Sequence, residues 1–401
     1  MPRKKNSVRP DTVDASRSLR VAIITCVYPP YRGGMGAVAH AHAQELARRG
    51  HQVRVITPQY DRGQHNRVED GVRVEYRVPV FSYGNSGRIP VEDVFQESDV
   101  VHLHFPFYFT AEMCAQWAKK YPAVRFVVTY HMDPTASGLK GWYFRWYRAW
   151  ITPRVLRASS AIFVSSRAYA ASTSSAALFQ ELADRVVEAP FGVDQKRFHP
   201  RDGGEASWAL LASVGLSPAK CTVLFVGGMD HAHAFKGVPV LLEAVRSLPD
   251  GVQLVLIGDG ALRASYERLA AKWRITDRVR FVGNQSADSL AQWYRAVQIL
   301  VLPSVSRGEA FGLVLLEAMA SDVACIASDL AGVRQVLDDG RAGVIVAPRD
   351  ARALAAAIGQ LYRDPSARAA LVAHASARVR RLYTWERMVD LYMMWYTRSI
   401  R

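Results

Sequence analysis

The sequence predicts an α/β protein built from two Rossmann-like domains. Three observations carry the prediction: two series of short apolar runs, helical patterns between those runs, and a Pro-, Gly- and charge-rich break between the series. The first series is LRVAIITCV (19–27), HQVRVITP (51–58), VRVEYRVPV (72–80), DVVHLHF (99–105), RFVVTYH (125–131) and AIFVSS (161–166). The second is TVLFVGG (222–228), VQLVLIG (252–258), RVRFVG (278–283), ILVLPS (299–304), ACIASD (324–329) and GVIVAP (343–348). Near-continuous apolar strands alternating with helices are buried on both faces, which is the pattern of a parallel sheet between helical layers. A chain of 401 residues is too long for one ordinary core and suits two domains of roughly 150–200 residues each.

The break is PFGVDQKRFHPRDGGE (190–205), a linker composition. It divides a first domain at 19–195 from a second at 196–383. The last segment, within 384–401, reads TWERMVDLYMMWYTRSI and has helical periodicity with many aromatics, so it is expected to pack back on the first domain. Residues 1–18, MPRKKNSVRPDTVDASRS, are basic and polar without an apolar core. They read as a disordered tail and not as a signal peptide.

A formal net charge of +15 points to an anionic partner: nucleic acid, an acidic membrane surface or a phosphorylated substrate. Zinc-finger, RRM and homeodomain signatures are missing from the sequence, which argues against nucleic acid. Cys26, Cys114, Cys221 and Cys325 are far apart, with neither a CxxC nor Cys/His zinc spacing, and read as buried free thiols of a reducing compartment. No uninterrupted run of 18 apolar residues appears, so no spanning helix is expected. The expected location is the cytoplasm or the inner face of the cell membrane.

In open α/β sheets ligands bind beyond the carboxyl ends of strands, where a turn enters a helix. Gly33 and Gly34 stand at the first such turn, where missing side chains let backbone N–H groups approach an anion; a tight turn needing positive φ explains them equally well. His131 ends the fifth strand in TYHMD and is read as functional. His102 and His104 alternate along VHLHF and read as satisfied core histidines. In FVGGMDHAHAFKG (225–237) two glycines and a polar loop precede Lys236-Gly237, placing a cation beside backbone donors that suit a diphosphate.

The stretch EAFGLVLLE (309–317) carries two glutamates around an apolar, glycine-containing segment. Glu309 falls in a loop and a helix begins near Gly312, so the N–H groups of Gly312, Leu313 and Val314 are helix-start donors for a phosphate. Glu317 falls on the helix, too far along for the paired carboxylates of a glycoside hydrolase. One extended ligand fits: Glu309 holds hydroxyls at one end and Glu317 a ribose diol at the other. That ligand is a nucleotide sugar.

The E-x7-E spacing of Glu309 and Glu317, the Gly-Gly turn, the TYH histidine, the Lys-Gly before a helix and the GVD…F.P linker together resemble the retaining GT-B glycosyltransferases of family 4, from about residue 19 to the end. The resemblance implies two Rossmann-like domains facing across a cleft, with the first receiving the acceptor and the second holding most of the donor. It implies metal independence, no cofactor beyond the nucleotide sugar as co-substrate, and front-face substitution in which the leaving phosphate helps deprotonate the acceptor. By motif, His131 contacts the donor sugar, Gly34 approaches the diphosphate and Lys236 neutralises it. Glu309 holds sugar hydroxyls, Glu317 the ribose, and Gly283-Asn284 lies near the base. One departure is Met229, where the family often has arginine; His231 or His233 is then expected either to compensate or to be a plain loop residue.

The segment GLKGWYFRWYRAWITPRVLRASS (138–160) is the candidate acceptor region. From Pro134 to Gln180 there are six cations and no Asp or Glu. On a helix Trp142, Trp146 and Trp150 align at i, i+4 and i+8, with Arg145, Arg148 and Thr152 on a narrow face. Aromatics with arginines suit an anionic membrane surface, and a core helix with solvated arginines is the competing reading. The activity expected is hexose transfer to a lipid-linked or membrane-proximal acceptor in cell-envelope polysaccharide or glycolipid synthesis. The competing activities are transfer to a soluble acceptor and epimerisation of a nucleotide sugar.

Overall fold

The computed structural model describes residues 17–31, 33–83, 86–133, 138–200 and 204–398. Most of the expected basic tail, residues 1–16, lies outside the described residues. The chain forms two compact units.

The first unit comprises 1–164, 177–189 and 386–401. Its strands are β1 (Arg20–Ile24), β2 (Gln52–Pro58), β3 (Arg67–Glu69), β4 (Val72–Arg77), β5 (Phe81–Tyr83), β6 (Ser86–Arg88), β7 (Val100–Phe105), β8 (Arg125–Tyr130), β9 (Ala161–Val164) and β10 (Val186–Glu188). The main sheet has the order β10-β9-β8-β7-β1-β2-β4-β3. Its pairs are parallel except β3 with β4. β7 and β8 are buried along their whole length, as strands covered on both faces must be. The C-terminal helix Trp385–Tyr396 returns to this unit from Glu386 onward. It buries Val389, Tyr392 and Tyr396, and Arg49 clamps it by donating to Asp390 (2.7 Å) and to the Glu386 carbonyl (2.9 Å).

The second unit comprises 165–176 and 190–385. Its strands are β11 (Cys221–Val226), β12 (Val252–Ile257), β13 (Val279–Gly283), β14 (Ile299–Leu302), β15 (Ala324–Ser328) and β16 (Val344–Val346). The order is β13-β12-β11-β14-β15-β16, every pair parallel. The helix Val238–Arg246 illustrates the packing. A proline in its first turn fixes the start, and Val238, Leu241, Leu242 and Val245 form the apolar stripe it buries in the core with Phe225, Leu254 and Leu256. Each such side chain contributes about 1.5–3 kcal/mol.

Both sheets have a switch point at their first strand: β1 lies between β7 and β2, and β11 between β12 and β14. Crossovers leave these strands in opposite directions, which opens a crevice at their carboxyl ends. The segment Ser165–Ala176 belongs to the second unit, against the expected unbroken first domain. Arg307 holds it by donating to the Ser172 carbonyl at 2.8 Å. All four cysteines are free, Cys26, Cys114 and Cys325 buried as expected and Cys221 only half-buried. No helix of the described residues is long and apolar enough to cross a membrane.

Candidate functional site

The loops leaving β11 and β14 are locked together at the second unit's switch point. Gly237 takes φ +73°, and a Cβ there would fall 2.0 Å from the Pro303 carbonyl oxygen, so only glycine permits this approach. Lys236 ends the short turn His231–Lys236 and lies over Gly227, whose Cβ would fall 2.5 Å from Lys236 Cδ. From there Lys236 Nζ donates to Glu309 Oε2 at 2.9 Å, and Ser304 Oγ donates to the same oxygen at 3.1 Å. The Lys236 and Glu309 side chains are only 15% and 10% exposed. Removing one partner of so enclosed a pair leaves a charge without compensation.

Glu317 lies on the helix Leu313–Ala320, whereas Glu309 lies in the loop before it. Tyr294 Oη donates to Glu317 Oε2 at 2.8 Å. Burial pushes the Glu317 carboxyl up to about 7, against the hydrogen bond from Tyr294 and the charge of Lys236, which lower it. Lys236 therefore acts on both carboxylates. The helix start is Gly312 in the left-handed region, with no side-chain cap. The first backbone bond into the turn is donated by Leu315 N–H to the Gly312 carbonyl at 2.9 Å. An uncapped helix start, a cation and two carboxylates in one unit are equipped for an anion flanked by hydroxyl groups.

Two partners were not singled out from sequence. Ser304 follows β14 and Tyr294 lies on the helix Ala287–Ala296. Neither forms a motif; Ser304 touches Glu309, and the Tyr294 hydroxyl reaches the Val314 carbonyl (3.3 Å) as well as Glu317. Gly283 and Asn284 stand at the end of β13, which β12 separates from β11. Arg263 holds that edge by donating to Asp259 (3.1 Å) and to the Phe281 carbonyl (3.0 Å).

Met229, the position at which the resemblance expects an arginine, is a core residue. It is 1% exposed and packs in the apolar cluster of the second unit, so its side chain points into the core. The space beside the turn belongs instead to Gly228, whose Cβ would meet the His233 ring at 2.8 Å. His233 Nδ1 lies 2.8 Å from Asp230 Oδ2, whereas His231 is exposed.

In the first unit, Gly33 caps the helix Gly34–Arg48 with φ 170°. That is extended backbone, so a left-handed turn does not explain this glycine, and a Cβ would find only Tyr31 Cε1 at 3.9 Å. His131 follows β8 and is 4% exposed. Its Nε2 lies 2.8 Å from His104 Nδ1, and burial lowers its pKa to about 3, leaving it neutral. His102 and His104 are fully buried, as a core reading predicts, but they are wired to His131 through His104.

The helix Gly138–Ala158 presents Trp142, Trp146 and Trp150 at 66%, 43% and 57% exposure, so its tryptophans are not the core of the unit. Phe144, Tyr147 and Ile151 face inward. Arg145 is exposed and Arg148 half-buried, but Thr152 is fully buried, which removes it from the expected arginine face.

Two family models match the chain: Glycosyltransferase Family 4 over residues 32–197 and Glycosyl transferases group 1 over residues 220–364. A phosphatidyl-myo-inositol mannosyltransferase of Mycolicibacterium smegmatis is 30% identical over 386 residues, covering 89% of each chain. A D-inositol 3-phosphate glycosyltransferase of Xylanimonas cellulosilytica is 34% identical over 249 residues, 60% of this chain and 58% of that relative. Among solved structures, sucrose-phosphate synthase from Thermosynechococcus elongatus superposes with TM-score 0.77 at 23% identity, covering 94% of this chain and 98% of that one. With the α/β architecture of both units, these matches place the chain in the family 4 glycosyltransferases of GT-B fold.

Proposed function

We propose that this protein is a retaining, metal-independent hexosyltransferase. Its donor is a UDP- or GDP-linked hexose, and its acceptor a hydroxyl on a lipid-linked or membrane-proximal molecule of cell-envelope polysaccharide or glycolipid synthesis. The observation that carries the reading is the enclosed Lys236–Glu309 pair beside a second carboxylate, Glu317, that feels the same cation. Lys236 neutralises the diphosphate, and the N–H groups of Gly312, Leu313 and Val314 receive its oxygens. Glu309 holds sugar hydroxyls, Glu317 the ribose diol, and Gly283-Asn284 the base. The acceptor oxygen bonds to the anomeric carbon on the face the diphosphate leaves. The acceptor's proton passes to the departing phosphate oxygen. Lys236 and the helix start supply the positive charge that a divalent ion provides in metal-dependent transfer.

A thermal-shift screen of nucleotides and sugar nucleotides tests the donor, because a ligand of the native state raises its apparent stability. Only ionised Glu317 accepts both ribose hydroxyls. With its carboxyl at about 7, donor affinity is expected to rise about tenfold from pH 6 to pH 8. Glu317→Gln is expected to flatten that rise and weaken binding by about 1.5–3 kcal/mol. An unchanged pH dependence in the variant removes Glu317 from the donor site.

A membrane-proximal acceptor is favoured by the exposed tryptophan stripe, which carries Arg145 and Arg148 on the same helix. Tryptophan and arginine together suit the headgroup level of an anionic bilayer. The M. smegmatis relative, named as a phosphatidyl-myo-inositol mannosyltransferase, supports the same reading. Flotation with anionic vesicles is expected to carry the protein, and Trp142→Ser with Trp146→Ser and Trp150→Ser to release it. Equal flotation with neutral vesicles, or none with either, favours a soluble acceptor.

A further inference from the structure

Of the eleven large apolar side chains exposed among the described residues, six lie in two segments of the first unit. Val78, Val80 and Phe81 stand at the hairpin β5–β6, and Trp142, Trp146 and Trp150 on the helix Gly138–Ala158. A line of aromatic rings joins the two segments. Phe81 meets Phe109 at 4.9 Å between centroids, Phe109 meets Tyr143 at 6.4 Å, and Tyr143 meets Trp146 at 6.2 Å. Single apolar residues on a surface are ordinary, but a contiguous patch marks a surface that something covers.

The hairpin is fixed in that place by its own pairing and by the turn after β7. Val80 N–H donates to the Arg88 carbonyl at 2.9 Å, and Phe81 pairs with Arg88 in the ladder. Thr110 begins the helix Thr110–Lys120 and is fully buried. Its hydroxyl donates to the Gly87 carbonyl at 2.6 Å and accepts from Ile89 N–H at 3.2 Å. Phe109, just before it, stands at φ +70°, a costly conformation for a bulky residue. In that conformation its ring lies between Phe81 and Tyr143. The exposed apolar side chains are therefore carried on a hairpin anchored at its base, and a covering apolar phase would recover the cost of holding them in water.

Charge selects the covering. Arg88, exposed on the hairpin, donates to the Met113 sulfur at 3.4 Å, and neither it nor the exposed Arg145 enters an ion pair among the described residues. Glu112 lies on the inward side of the tryptophan helix, where the Tyr147 hydroxyl donates to it at 3.4 Å and burial raises its pKa. Apolar and aromatic side chains beside unpaired arginines match the acyl and headgroup levels of an anionic bilayer. We propose that the hairpin β5–β6 is a second membrane-inserting element, entering an anionic bilayer through Val78, Val80 and Phe81 beside the tryptophan helix. This inference rests on the membrane-proximal reading of the acceptor. A helix alone can roll about its axis at a bilayer surface. A second contact to one side of that axis stops the roll, so the first unit meets the bilayer in one orientation.

The test places a nitroxide on Phe81→Cys in the full chain carrying Cys221→Ser, since the other three cysteines are buried. Vesicles of phosphatidylglycerol with phosphatidylcholine are compared with phosphatidylcholine alone. On the anionic vesicles the label is expected to become more accessible to oxygen and less accessible to a water-soluble nickel complex. Val80→Ser with Phe81→Ser is expected to weaken binding to those vesicles by about tenfold or more, with circular dichroism unchanged. If the protein floats with the anionic vesicles while the label stays as open to nickel as in solution, the hairpin proposal falls and the tryptophan helix keeps its role. Wild-type affinity in the double variant overturns it in the same way. A dimer that the double variant disperses without lipid also overturns it, because the patch is then a protein interface. If the wild-type protein floats with neither vesicle, the membrane-proximal reading falls and this inference with it.

Discussion

Glu309→Ala is expected to lower the rate of sugar transfer by at least about 10²–10³-fold, the scale for removing a preorganised electrostatic group from a reacting centre. The reason lies in the enclosed pair. Glu309 Oε2 takes hydrogen bonds from both Lys236 and Ser304, so it fixes the ammonium that we propose neutralises the diphosphate, and in the same proposal it offers itself to sugar hydroxyls. Without it Lys236 is a half-buried cation with no anion, free to swing away or to hold the product diphosphate. Glu309→Gln keeps the shape and removes the charge. It is expected to fall with the alanine variant in rate while keeping wild-type circular dichroism. Near-normal turnover in both variants would remove Glu309 from the reaction.

The second large effect is on stability. His42, His102, His104 and His131 are held neutral by burial, with folded pKa values far below the ordinary 6.5. A depressed folded value means that the unfolded chain binds more protons below 6.5, so stability is full above that pH and falls as the pH drops. Each histidine contributes about 1.4 kcal/mol per pH unit in that window, and four contribute roughly 5–6. Against a typical stability of about 5–15 kcal/mol, the first unit is expected to unfold between about pH 6 and 4. Far-UV circular dichroism against pH measures this, and His42→Leu is expected to make the fall shallower. A signal flat from pH 7 down to pH 4 contradicts the neutral cluster.

The strands that the sequence made legible are the long apolar ones. All twelve runs became strands, because β-branched residues at near-continuous spacing suit a buried parallel sheet and little else. The four strands that were not foreseen, β3, β5, β6 and β10, have three residues each, too few for any period to register. The exchange of Ser165–Ala176 into the second unit depends on contacts such as Arg307 with Ser172, which no local pattern encodes. The nearness of Lys236 to Glu309 and Glu317 was readable because the segments carrying them follow neighbouring strands of one parallel sheet. The burial of Met229 was not legible because a turn position says nothing about which way its side chain points. The contact of His42 with Tyr396 was illegible for a different reason: the two are 354 positions apart, and only the folded sheet and the returning helix bring them together. The tryptophan stripe was visible as a period, but its exposure became decidable only once Phe144 and Tyr147 were seen to take the inward face.

The most direct measurement follows the label of a nucleotide hexose carrying radiolabelled sugar, incubated with the protein and a membrane-lipid extract. Label is expected to move from the nucleotide into the lipid fraction with its anomeric configuration kept, with and without a chelator present. Label recovered only in a different free nucleotide sugar, or label that never leaves the donor, contradicts glycosyl transfer by this site.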